Sequence, residues 1–115
     1  MTAAATLPAG FEALAPFAER WARPTENARN AIRLATNAAD FAAFDAAMAP
    51  RLEALLARLA AAPAHPEDPA EALALQLAAA FAEAAPHHEL YGGSPTVPHS
   101  FDARRFVPDH GDEAL

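Results

Sequence analysis

The stretch from Phe41 to Leu59 carries its large apolar residues in steps of three and four, which is the spacing of one face of an α-helix. These residues are Phe41, Phe44, Met48, Leu52, Leu55, Leu56 and Leu59. Pro50 lies inside this stripe, yet the phase of the pattern is the same on both sides of it. A proline in a helix interior removes one backbone hydrogen bond and costs about 3 kcal/mol. The pattern favours one helix over 38–61 that is kinked at Pro50; the alternative is two helices, with Pro50 in the first turn of the second.

The composition of the chain is also typical of a helical protein. Alanine makes up nearly a third of the 115 residues; it has the highest helix propensity and favours close contacts between helices. Valine and isoleucine are few and no run alternates apolar with polar residues, so a sheet is not expected. The length suits a single domain. We therefore predict an all-α protein, a small four-helix-type bundle with proline-kinked helices and an extended C-terminal arm.

The charge and the cysteine count exclude several classes of protein. A formal net charge of −7 disfavours nucleic-acid binding and a basic membrane anchor. The absence of cysteine removes disulfides, thiolate metal ligands and cysteine nucleophiles. Residues 1–10 do not resemble a signal peptide, and no uncharged apolar run reaches the length of a membrane span. We therefore expect a cytoplasmic protein with neither a nucleic-acid nor a membrane partner.

Prolines and capping residues divide the chain into further helices. Thr25 follows Pro24 and is a good N-cap for a helix that begins at Glu26. Thr36 and Asn37 favour a break, with one of them capping the next helix, although a continuous helix is an alternative. The boundaries thus predict a second helix between a first helical segment, from about Phe11 to Trp21, and the stripe.

The last predicted helix begins where Asp68 caps it and Pro69 occupies its first turn. It either ends at Ala85 or continues through Pro86, and the Gly92-Gly93 pair stops it. We expect the final residues, 110–115, to be loose. The predicted organisation is a flexible N-terminus, a helical bundle and an extended C-terminal arm, at residues 1–8, 9–93 and 94–115.

A cluster of arginines provides the first candidate site. Half of the eight basic residues lie close together in the sequence, at Arg20, Arg23, Arg29 and Arg33. Because Arg29 and Arg33 are one helical turn apart, an anion between them would relieve their repulsion. Together with Trp21 they predict a binding site for an anionic or apolar metabolite. The alternative interpretation makes Trp21 a core anchor and pairs the arginines with acids of the chain itself: Glu12, Glu19, Glu26 or a carboxylate on a neighbouring helix.

A second, weaker candidate is a metal site near the end of the last helix. Glu83 and His87 are one turn apart, and His99 is the only plausible third ligand. A metal site needs three or four ligands, and the alternative is a polar helix end whose histidines face the helix dipole. The sequence therefore predicts no metal and no cofactor.

The C-terminal arm contains a third candidate. Two aromatic residues bracket two arginines there, at Phe101, Arg104, Arg105 and Phe106. Aromatic residues and arginine are enriched at protein interfaces, so these four residues are predicted to bind a partner. The alternative is that they strap the arm onto its own bundle.

No pattern in the chain indicates catalysis. Ser94 and Ser100 do not lie in the strand–turn–helix setting of a serine nucleophile, and no glycine-rich phosphate loop is present. Asp40 and Asp45 are five residues apart and do not share a helix face. An enzyme is therefore not indicated.

Three segments together resemble a group of short bacterial helical proteins of about this length. The segments are Trp21-Ala22-Arg23-Pro24-Thr25-Glu26 with Arg29, Pro50-Arg51-Leu52-Glu53, and Glu89-Leu90-Tyr91-Gly92 followed by Phe101-Asp102-Ala103-Arg104-Arg105-Phe106. The resemblance spans most of the chain. It implies no activity and transfers no site residues.

The alanine-rich helices and the aromatic arm favour a non-catalytic helical interaction protein. It would act as a homodimer or as a small accessory subunit of a larger enzyme complex, because small residues let another helix approach closely. One alternative is a protein or small enzyme that binds an anionic or apolar metabolite through the arginine cluster. A further alternative is a histidine-based metal-binding protein.

Overall fold

The computed structural model describes residues 6–97 and 107–115. The α-helices are α1 (Ala15–Trp21), α2 (Glu26–Leu34), α3 (Ala38–Met48), α4 (Leu52–Ala60) and α5 (Pro69–Glu89). Short 3-10 turns precede α1 at Glu12–Leu14 and join α3 to α4 at Ala49–Arg51. Apart from one isolated β-bridge between Thr25 and Ala114, the regular structure of the described residues is helical. This confirms the prediction of a small all-α bundle.

Side chains cap three of the helices at the positions that the sequence predicts. The Oγ1 atom of Thr25 accepts a hydrogen bond from the Ala28 N–H at the start of α2, at 3.2 Å. Asn37 caps α3, and Asp68 caps α5 with Pro69 in its first turn. Because each cap satisfies a backbone N–H that lacks a helical partner, local sequence determines these three starts.

The segment around Pro50 combines features of both predicted arrangements. Pro50 lies in the 3-10 turn between α3 and α4, so the stripe is not one continuous α-helix. The backbone angles at Met48, Ala49 and Leu52 nevertheless stay in the right-handed helical region. The missing proline N–H is accommodated by one tighter turn, after which α4 begins at Leu52.

The core lies where α5 packs against α1, α3 and α4. Its largest fully buried side chains are Phe41, Phe44, Leu14, Met48, Leu55 and Leu77. The stripe that the sequence predicts is therefore the centre of the core on α3. On α4 only Leu55 is fully buried, whereas Leu52 and Leu59 are partly buried and Leu56 is 51% exposed.

The end of α5 shows how the helix passes its internal proline and then stops. α5 continues through Pro86 to Glu89, which is the longer of the two predicted courses. After it the chain turns through Gly92 and Gly93, whose φ angles are 62° and 82°. The N–H of Gly93 donates to the carbonyl of His87 at 2.7 Å, so a helical carbonyl without a partner in the helix is satisfied by the turn.

Both ends of the described chain pack more closely than the sequence predicts. Leu7 and Pro8, which fall within the predicted flexible N-terminus, are buried. The prediction that 110–115 is loose is wrong, because the Leu115 N–H donates to the Pro24 carbonyl at 2.9 Å and Ala114 bridges to Thr25. The backbone groups near the start of α2 hold this segment, and no side-chain pattern reveals such bonds.

Candidate functional site

The arginine cluster closes around a carboxylate from α5. Arg29 donates from Nε to Oε1 of Glu83 at 2.8 Å and from Nη2 to Oε2 at 3.3 Å. Arg33 donates from Nη1 to the same Oε1 atom at 3.0 Å. The anion between the two arginines is thus an acid of a neighbouring helix, as the alternative interpretation predicts.

The remaining groups of the cluster are satisfied within the chain as well. Arg29 is 5% exposed, and its Nη1 donates to the carbonyl of Arg23 at 2.9 Å. The Nη2 atom of Arg33 donates to Oδ1 of Asn30 at 3.0 Å. Burial lowers the pKa of Arg33, and the charges of Glu83 and Glu26 oppose this shift. Arginine stays protonated under such conditions, so the cluster is a permanent ionic link between α2 and α5.

Trp21 lies in the core rather than beside the arginine pair. Its ring stacks on Phe44 with centroids 4.3 Å apart and an angle of 10° between the planes. It also contacts Phe41 at 5.9 Å, and the guanidinium of Arg20 lies 5.3 Å from the ring centroid. Only 2% of Trp21 is exposed. This geometry is that of a core anchor, whose aromatic stacking adds about 1 kcal/mol to its burial.

The predicted metal ligands are engaged in other contacts. Glu83 is bound by the two arginines, and the Nδ1 atom of His87 lies 2.8 Å from the carbonyl oxygen of Ser94. The His87 ring stacks on Phe41 at 5.3 Å. Within residues 6–97 and 107–115 there is no group of three His, Asp or Glu side chains that could hold a metal ion. His99 lies outside the described residues.

The predicted partner-binding residues of the arm also lie outside the described residues. They are Phe101, Arg104, Arg105 and Phe106. The described part of the arm that follows them folds back on its own chain: the Asn27 N–H donates to the Gly111 carbonyl at 2.8 Å, and the Asn27 side chain donates to Asp112. Residues 107–115 therefore pack on the start of α2 within the same copy.

The outer face of α4 is the least covered part of the apolar stripe. Between Leu52 and Ala60 only Glu53 and Arg58 are polar, and Arg58 is directed to α5, where its Nη2 lies 2.8 Å from Oε1 of Glu71. The side away from the core carries Leu56, Ala57 and Ala60 together with Glu53, all of them exposed. This face is the candidate interaction surface of the molecule.

Compared with known proteins, the chain matches no family model, no curated protein and no solved structure. Within the part of the chain that the structure describes, no helix combines the length and the apolar character needed to cross a membrane.

Proposed function

We propose that this chain is a non-catalytic helical interaction protein that forms a homodimer through the outer face of α4. The observation that carries the proposal is the composition of α4, in which every residue except Glu53 and Arg58 is leucine or alanine. A helix that is apolar nearly all round is normally covered on more than one side. Within one copy, α5 is its main helical neighbour, and half of Leu56 remains exposed.

The stripe on this face is complementary to itself, which favours a second copy as the partner. Leu52, Leu56 and Ala60 follow one another at intervals of four and lie along one edge of the helix. In an antiparallel pair centred on Leu56, Leu52 of one copy lies opposite Ala60 of the other, because both are four residues from the centre. A two-fold interface of this kind uses the same patch on both subunits and packs a large side chain against a small one.

The charged side chains that were candidates for a site are paired with one another, which supports a non-catalytic role. Arg29, Arg33 and Glu83 bind one another, and Arg20 forms an ion pair with Asp40 at 3.0 Å. Catalytic acids and bases are usually found in clefts where they can reach a substrate. In this chain the same side chains join helices, and the apolar face of α4 is left to bind a partner.

Cysteine cross-linking tests the proposal, because the chain has no cysteine of its own. Mild oxidation of a Leu56→Cys variant should give a disulfide-linked dimer, since the two-fold axis places the two copies of residue 56 side by side. Ala46→Cys, at an exposed position of α3, is the matched control and should not form a disulfide-linked dimer. Equal cross-linking of both variants, or none in either, would contradict pairing through α4. In that case the accessory-subunit alternative would replace the homodimer.

A further inference from the structure

A cavity of about 560 Å³ lies between α1, the N-terminal segment and α5. Ligand pockets in proteins commonly have volumes of roughly 300–1,000 Å³. Its apolar lining is formed by Leu7, Ala15, Ala18, Ala22 and Leu73. The apolar residues that α1 contributes, Ala15 and Ala18, are both small, and larger side chains there would reduce the space.

The polar lining of the cavity consists of Thr6, two acidic residues and one arginine. Glu12 and Glu19 line it together with Arg23. Both carboxylate oxygens of Glu12 accept a hydrogen bond from the Gly10 N–H, at 3.0 and 3.1 Å, which holds the negative charge in place. The Nη1 atom of Arg23 is directed to the carbonyls of Glu19 and Ala22 at the end of α1. The Nη1 atom of Arg23 is thus engaged by backbone carbonyls, while the side chains of Glu12 and Glu19 are exposed at the cavity.

We propose that this cavity binds an amphipathic cation, a small aliphatic ammonium whose chain lies against Leu7, Ala18 and Leu73 and whose charge lies beside Glu12 and Glu19. An apolar lining with a few polar groups at fixed positions is the usual composition of a small-molecule site. The two carboxylates provide the charge complementarity, and the overall charge of −7 adds to the attraction for cations. This site is independent of the α4 interface, which lies on another helix.

The test uses three probes of the same chain length, n-octylammonium, n-octanol and octanoate, added to the full chain. Two-dimensional NMR follows the amide and methyl signals during each titration. The shifts should be centred on Leu7, Ala18 and Leu73, and the affinity should decrease from the ammonium to the alcohol to the carboxylate. Glu19→Gln should weaken ammonium binding about fivefold, as expected for one solvent-screened charge pair, and should leave alcohol binding unchanged.

A second variant tests the cavity itself. Ala15 is exposed on α1 and lines the cavity, so Ala15→Leu should occupy part of the space, weaken the binding of all three probes and leave the melting temperature within a few degrees of the original. Ala46→Leu, at an exposed site on α3, is the matched control and should bind normally. Octanoate binding as tight as octylammonium, shifts centred elsewhere, or no saturable binding of any probe would overturn the proposal.

Discussion

The guanidinium of Arg29 and the carboxylate of Glu83, 54 residues apart in sequence, form a two-pronged hydrogen bond that joins α2 to α5. The most extensive contacts between helices join α1, α3 and α4 to α5, and α2 takes part in none of these. The largely buried ion pairs of Arg29 and Arg33 with Glu83 therefore contribute to holding α2 against α5. Arg33 adds a third bond to the same carboxylate.

Removal of this carboxylate should destabilise the protein strongly. Glu83→Ala leaves two guanidinium groups without their anion, and one of them is almost fully buried. Breaking such a pair by removing one partner costs about 3 kcal/mol or more. Urea denaturation followed by circular dichroism measures the change, and Glu89→Ala, at an exposed position in the last turn of α5, should change stability by less than about 0.5 kcal/mol. Equal effects of the two variants would show that the Arg29–Glu83 link contributes little.

The same variant distinguishes a structural arginine cluster from a ligand site. In Glu83→Ala the empty position between Arg29 and Arg33 should accept an external anion, because guanidinium groups bind carboxylates and oxyanions readily. Acetate or sulfate should then raise the melting temperature of the variant by several degrees more than that of the original chain. If these anions raise the melting temperature of the original chain as much as that of the variant, the arginines are open to ligands even with Glu83 present.

Gly93 should tolerate substitution much less well than its neighbour Gly92. Both have positive φ angles, so alanine at either position costs about 1 kcal/mol of backbone strain. A Cβ atom at Gly93 would also collide with the Cβ and Cα atoms of Ala38 at the start of α3, whereas a Cβ atom at Gly92 meets nothing within 4 Å. Gly93→Ala should therefore cost at least about 1–2 kcal/mol more than Gly92→Ala, measured by thermal denaturation. Similar losses of stability in Gly93→Ala and Gly92→Ala would contradict the close approach of this turn to α3.

The features that the sequence predicts correctly are those that depend on neighbouring residues. Thr25, Asn37 and Asp68 cap their helices because each side chain reaches an N–H within three positions. The helical periodicity likewise identifies the core stripe. The arrangement at Pro50 could not be predicted, since a kinked helix and a short 3-10 turn leave the apolar pattern in the same phase.

Contacts between distant segments could not be predicted in the same way. The sequence offers several acids to Arg29, and only the packing of α2 on α5 selects Glu83. The sequence does not predict the cavity either, although Ala15, Ala18 and Ala22 follow one another at helical spacing. Such spacing is equally typical of close helix packing, so the structure is needed to show that a space remains.

The contact between the C-terminal segment and α2 should protect specific amides from hydrogen exchange. The Asn27 N–H donates to the Gly111 carbonyl, and the Leu115 N–H donates to Pro24. A Cβ atom at Gly111 would collide with the side chains of Asn27 and Pro108, so Gly111→Val should accelerate exchange at both amides. Asp109→Ala, at an exposed neighbouring position, serves as the control and should leave them protected. Rapid exchange at both amides in the original chain would contradict the packing of 107–115 on α2.

Glu12 should titrate at lower pH than an ordinary glutamate. Hydrogen bonds from backbone N–H groups, first that of Gly10, lower the pKa of Glu12. Because the folded pKa is depressed, the stabilisation from this contact is present above the unfolded pKa and is lost as the pH falls through the folded pKa. A carboxyl-detected NMR titration measures the midpoint, and the Gly10 amide shift should follow the same curve. A midpoint at or above the ordinary value for glutamate would contradict the contact.

Sedimentation equilibrium of the original chain beside a Leu56→Glu variant tests the central claim most directly. Leu56 is half exposed, so the monomer should tolerate a glutamate at this position. In a dimer the same glutamate would lie at the centre of the proposed two-fold interface. The account predicts that the original chain sediments as a dimer of 24.2 kDa, twice the chain mass of 12.1 kDa, and that the variant sediments as a folded monomer. A monomer for the original chain at every concentration, or a dimer that Leu56→Glu leaves intact, would contradict it.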